Sequence, residues 1–98
     1  MTRPRVERRY GALVLVLEEA EYVVRKDAAK ALLDDDQPVD VRVLGGPQEP
    51  VGRAYPDRAG RIVFQLPGQA LEFGVDHLRA LEILPAGAAV RAIAGVEA

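Results

Sequence analysis

The stretch Glu21-Tyr22-Val23-Val24-Arg25-Lys26-Asp27-Ala28-Ala29-Lys30-Ala31-Leu32-Leu33 decides the fold, because it reads in two ways. Taken together with Glu18, Glu19 and Ala20, it places Ala20, Val23, Val24, Ala28, Ala31 and Leu32 on one helical stripe. The early glutamates suit a helix N-terminus, and the result is one long helix. Taken from Glu21, the same residues give a strand through Val24 and then a short helix with Asp27 as its N-cap.

Comparison of the chain with itself favours the second reading. Gly11-Ala12-Leu13-Val14-Leu15-Val16-Leu17 sets on Gly60-Arg61-Ile62-Val63-Phe64-Gln65-Leu66. After a two-residue shift the match resumes, with Glu21-Tyr22 on Glu72-Phe73, Val24 on Val75, Ala29 on Ala80 and Leu32-Leu33 on Ile83-Leu84. It ends with Val41-Arg42-Val43-Leu44 against Val90-Arg91-Ala92-Ile93. Each half then reads strand, strand, short helix, strand, and Asp76 marks where the equivalent cap, Asp27, should sit.

Ala12 to Leu17 is apolar at every position and suits a strand covered on both faces. Val39 to Val43 alternates apolar and polar residues until Gly45-Gly46-Pro47 stops it. Val51 to Tyr55 forms a short strand, Pro56-Asp57-Arg58-Ala59-Gly60 a turn, and Arg61 to Leu66 a strand with Ile62, Phe64 and Leu66 inward. Pro67-Gly68 is the next turn, Leu71 to Val75 a strand, and Asp76 caps a helix through Leu81 before a last strand from Ala89 to Ala94. The reading is a β-rich α+β fold, a small barrel with two short helices built from two duplicated ββαβ halves. Residues 1–9 read as a basic N-terminal arm and 10–98 as a single β-rich domain.

Val41-Arg42-Val43, Pro50-Val51-Gly52-Arg53, the turn Asp57-Arg58-Ala59-Gly60, the strands 61–66 and 71–75, and Leu78-Arg79-Ala80-Leu81 together resemble an SH3-like small barrel, as in the PRC-barrel and antirepressor-type SH3 modules. The resemblance covers about half of the chain and implies a fold, not an activity. Asp57-Arg58-Ala59-Gly60-Arg61-Ile62-Val63, with Leu78-Arg79-Ala80-Leu81 and Pro85-Ala86-Gly87, is also similar to the AbrB-type swapped-hairpin domains, a likeness that implies DNA binding.

Composition narrows the chemistry. At 98 residues, 49% hydrophobic and 29% charged, the chain is the size and make-up of one soluble globular domain. Cysteine, serine, asparagine and tryptophan are missing and Thr2 is the only threonine, which excludes Ser-His-Asp and Cys-His hydrolysis and thiolate metal sites. Thr2 itself would serve as a nucleophile only after removal of Met1. The beginning of the chain does not read as a secretory signal, and no apolar run approaches the ~20 residues of a membrane helix, so a cytoplasmic, non-membrane protein is expected.

Few residues are left to carry a function. His77, the lone histidine, lacks a nucleophile beside it and reads as a surface helix residue. Asp34-Asp35-Asp36 lacks the alternation and glycine of a calcium loop and reads as a solvated turn. Gly45-Gly46 lacks the Lys-Ser/Thr of a phosphate loop. No catalytic residue, cofactor or metal is assigned. The candidate interaction residues are Arg3, Arg5, Arg8 and Arg9 in the arm, where they face one glutamate, and Arg53, Tyr55, Arg58 and Arg61 around one hairpin. The leading expectation is a non-catalytic regulatory module that binds a protein partner on a β-barrel surface. The alternative is a nucleic-acid-binding regulator whose arginines contact phosphates. A homodimer is also expected, since the two-sided apolar strand 12–17 calls for a cover.

Overall fold

Glu21–Val24 is a strand, and the helix that follows it runs Lys26–Asp34, as the repeat implied. The structure, a computed structural model, describes residues 4–85 and 87–97; Arg3 lies outside them. The elements are β1 (Arg5–Arg9), β2 (Ala12–Val16), β3 (Glu21–Val24), α1 (Lys26–Asp34), β4 (Val39–Val43), β5 (Gly52–Pro56), β6 (Arg61–Leu66), β7 (Gln69–Gly74), α2 (Val75–Ala80), β8 (Ala89–Arg91) and β9 (Ala94–Glu97).

Every ladder is antiparallel, in the order β8-β1-β2-β3-β4-β5-β6-β7-β9. Only Ala92 and Ile93 separate β8 from β9, so the two act as one bent strand. Ala92 N–H donates to the Pro4 carbonyl on the β1 side (2.9 Å) and Ile93 N–H to the Glu72 carbonyl on the β7 side (2.8 Å). The sheet therefore comes round on itself as an eight-strand, nearly closed barrel.

Alternation along the strands fills the interior. Val6, Leu13, Leu15, Val24, Val41, Ala54, Ile62, Phe64, Phe73 and Val90 are all buried in one cluster, as period-two patterning directs. Phe64 and Phe73, on the neighbouring strands of the β6–β7 hairpin, meet edge to face at 5.4 Å between centroids. α1 adds Ala29, Leu32 and Leu33 to this core and α2 adds Leu78. The two helices are tied together by Arg79, whose Nε and Nη2 donate to the Leu33 carbonyl at 3.1 and 2.6 Å.

Several expectations need correction. The basic arm is strand β1 over Arg5–Arg9, with β2 on one side and β8 on the other. One buried apolar residue among charges, Val6, is enough to seat it, because Arg5, Glu7 and Arg9 alternate outward. Asp27 and Asp76 cap nothing with their side chains. The N-caps are Arg25 and Gly74, and both aspartates lie inside the first turn, where their negative charge still complements the positive end of the helix dipole. The last strand is split, and each half of the chain contains a strand more than the repeat implied, so β-β-β-α-β occurs twice in order. Closure runs through β8 on β1, so the barrel also takes in β1, β2 and β3, which lie outside the 39–84 segment that resembles an SH3-like barrel. The turn 57–60 joins β5 to β6, and helix α2 follows β7 directly.

Candidate functional site

β8 turns its backbone alternately to its two sides. Val90 pairs with Val6 of β1 and Ala92 N–H points the same way, so Ala89 and Arg91 present their N–H and C=O groups to the opposite side. On that side β7 has already ended at Gly74 and the chain has turned into α2. A cleft of about 410 Å³ opens there, lined by His77 and Ala80 of α2, Leu84 beyond it, and Val90, Arg91 and Ile93 of the bent strand. Gly74 lies close to two of these residues: a Cβ on it would stand 2.9 Å from His77 Nδ1 and 3.5 Å from Ile93 Cδ1.

The mouth of the cleft is apolar. Of its lining residues Ile93 is 49% and Leu84 47% exposed, and Ile83, next to Leu84 in the chain, is 86% exposed. Their counterparts by the internal match behave differently. Leu32 and Leu33, which match Ile83 and Leu84, are core residues, 0% and 6% exposed. The two pairs differ in their helices: α2 ends at Ala80, before Ile83 and Leu84, while α1 continues through Leu32 and Leu33 to Asp34.

The sequence-derived arginines are used differently from expectation. Arg9 reaches Glu7 (2.9 Å) and Glu21 (3.1 Å), and Arg5 reaches Glu7 (2.9 Å). Hydrogen bonds from Arg5 and then Arg9 hold the Glu7 carboxyl below the usual glutamate range, and Glu21 followed by Glu7 raises the Arg9 guanidinium further above its already high value. Arg8 faces Glu82 at 3.7 Å and Arg61 faces Glu72 at 3.3 Å. Four of the candidates thus have their charge met within the chain. Arg53 and Tyr55 share a shallow depression with Gln65 and Asp36, and Arg58 stands apart in the exposed 57–60 turn. β1 and β5 lie four strands apart in an eight-strand barrel, hence on opposite sides, so the arm and hairpin arginines do not form one surface.

A further depression of about 420 Å³, between the β1–β2 turn and the two helices, has Lys26, Lys30 and Arg8 on its walls against Asp27, Asp34 and Glu82. Balanced charge gives it no preference for an anion. Among the described residues no group of three or more His, Asp or Glu side chains is placed to hold a metal ion, and no helix is long and apolar enough to cross a membrane. Val14, on the outer face of β2, is 2% exposed and is covered within the chain, so the strand does not call for a second subunit on its own account.

Sequence reasoning missed Gly74, Ala80, Ile83, Leu84, Arg91 and Ile93 as site residues. The one available signal was Pro85, which directly follows Leu84 and forbids the helix turn that would have covered it. Comparison with family models, curated proteins and solved structures yields no match to this chain.

Proposed function

We propose that this protein is a non-catalytic binding module that holds a partner protein on the α2–β8 face of its barrel. The observation that carries the reading is the exposure of Ile83 and Leu84 where the matched Leu32 and Leu33 are core. Aliphatic surface of this kind gains about 1.5–3 kcal/mol per side chain when covered, and a partner is what supplies the cover. The barrel interior is filled by its own side chains, so recognition falls to the outside. We read the two halves as copies of one βββαβ unit, of which the second bears the binding face. Supporting this are the repeated element order and two matching hydrogen bonds, Leu44 N–H to the Glu21 carbonyl (2.9 Å) and Ile93 N–H to the Glu72 carbonyl (2.8 Å). The likeness to SH3-like modules is then a likeness of the second unit with β4 added.

Random-peptide display against the folded chain tests the reading. Selected peptides should lose roughly tenfold or more in affinity on Ile83→Asp or Leu84→Asp, the equivalent of one buried aliphatic side chain. They should be indifferent to Arg53→Ala and Arg58→Ala. Failure to select any peptide that depends on this face would overturn the proposal. So would nucleic-acid binding that falls steeply with salt and disappears with the same two arginines, since that is the signature of phosphate contacts.

A further inference from the structure

We propose that the partner enters this face as an extended peptide segment, laid as an added strand along the free edge of β8 and enclosed by α2. The inference rests on the binding-module reading above and specifies its mode. Among the described residues, the backbone groups of Ala89 and Arg91 that point into the cleft have no hydrogen-bond partner, from backbone or side chain. A row of unpaired N–H and C=O groups is a template for another strand.

The first half of the chain shows what is missing from the second. There β3 and β4 pair through Tyr22 opposite Val43 and Val23 opposite Arg42. By the internal match the corresponding pairs would be Phe73 with Ala92 and Gly74 with Arg91, and neither is made: the β7–β9 ladder stops at Glu72 opposite Ala94. The ladder is therefore interrupted beside the residues that line the cleft. Gly74 carries no side chain to obstruct it.

The shape of the cleft chooses among occupants. One wall of the cleft, about 410 Å³ in volume, is the edge of β8 and the other is α2. The edge of a second copy of this barrel brings its own β1 behind β8, and that strand would need the space α2 holds. An extended peptide has no such flank. Its side chains alternate between two faces. Those turned toward Ala80, Leu84 and Val90 should be aliphatic. On the face shared with Arg91, which is exposed and has no carboxylate partner among the described residues, an acidic side chain should be favoured. The expected ligand is an extended segment in which apolar and acidic residues alternate.

The test uses the full chain and a peptide obtained by the display selection. Amide hydrogen exchange followed by NMR should slow at Ala89 and Arg91 on binding, by about tenfold or more, with little change at Val90, whose amide already faces β1. N-methylation along the peptide should weaken binding at every second residue only, because alternate amides face β8. Arg91→Glu should reverse the preference for an acidic position. A peptide that needs Leu84 but leaves the Ala89 and Arg91 amides unprotected, or that binds as a helix, would refute strand addition and leave the binding-module reading standing. If no peptide engages the face, both fall. Concentration-dependent dimerisation that protects the same two amides would replace the peptide with a second copy and refute the proposal as stated.

Discussion

Arg79 offers the sharpest test of how the two helices are held. Its guanidinium donates twice, at 3.1 and 2.6 Å, to the carbonyl of Leu33. That carbonyl lies in the last turn of α1, where helix carbonyls lack partners of their own. The end of α1 is also electrostatically unfavourable, because Asp34, Asp35 and Asp36 stand at the negative pole of the dipole and no basic residue lies in its last turn. Arg79→Ala removes the donor and the nearest compensating cation together. Hydrogen bonds to charged groups contribute about 1.5–3 kcal/mol, and since the Arg79 side chain is 49% exposed, water takes over part of that role. A loss of about 1–2 kcal/mol is expected, which for a domain of this length is a fall in Tm of roughly 5–15 °C. Thermal and urea unfolding followed by circular dichroism would measure it. Arg79→Lys, which keeps the charge without the fork, should lie between the two, and Arg58→Ala, in an exposed turn, should stay within about 0.5 kcal/mol. If Arg79→Ala also stays within about 0.5 kcal/mol, the clamp contributes nothing and α2 is held by Leu78 and Leu81 alone.

Four other outcomes are expected. Tyr10→Asn should raise stability by about 0.5–1 kcal/mol in urea unfolding, because Tyr10 is fully exposed at φ 51° in a two-residue hairpin loop with Gly11 at φ 85°, a turn that suits Asn-Gly. Glu7→Gln should cost about 0.5–1 kcal/mol at neutral pH. The carboxyl of Glu7 is held below its ordinary 4.5, so its contribution is present above that value and is lost as pH falls through the lowered one. In an acid titration of urea midpoints the difference between wild type and variant should shrink as pH falls from 4.5 through the lowered value, and a difference that does not shrink would rule out the ion pairs as its cause. Gly52→Ala should lower the urea midpoint severely, by about 2 kcal/mol or more, because its Cβ would overlap the Gln65 carbonyl oxygen across the β5–β6 ladder. Pro85→Asp should lengthen α2, read as a gain in helical circular dichroism and slower amide exchange at Ile83 and Leu84, and should weaken peptide binding as the cleft closes.

Much of the fold was legible because apolar patterning survives neighbouring charges: Arg61–Leu66, with Ile62, Phe64 and Leu66 all buried, occupies the range read from it. The ambiguous 18–33 segment divides into the strand Glu21–Val24 and a helix, the second of its two readings. β1 was not legible. With Val6 alone buried in a run of arginines and a glutamate, its strand character comes from pairing with β2 and β8, which local sequence does not encode. Tyr10-Gly11 hid the hairpin that joins β1 to β2, since tyrosine is a poor residue for a positive φ and carries no turn signal. The arginines were visible as a charge pattern, but besides Glu7 in the same strand their carboxylates come from other strands or from beyond α2, as Glu21, Glu72 and Glu82 do, and those pairings are not local in the sequence.

The face assigned to the partner follows from a single difference between the halves. In the first, α1 runs through Leu32 and Leu33 and ends at Asp34. The position matching Asp34 is Pro85, which has no N–H for a helix bond and pushes the residue before it, Leu84, away from helical backbone. α2 accordingly ends at Ala80, and the chain tightens through bonds to the third residue back: Leu81 to Leu78, Glu82 to Arg79 and Ile83 to Ala80, at 3.1–3.2 Å. Ile83 and Leu84 are then carried outward, away from the positions their counterparts hold in the core. The loss of that turn also leaves β8 uncovered on the side away from β1. An exposed edge of this kind invites aggregation unless it is short or charged, and β8 is both, with three residues and Arg91 among them. Such an edge is too short to recruit another sheet, and the apolar residues beside it add the contacts that a single extended chain would need to stay.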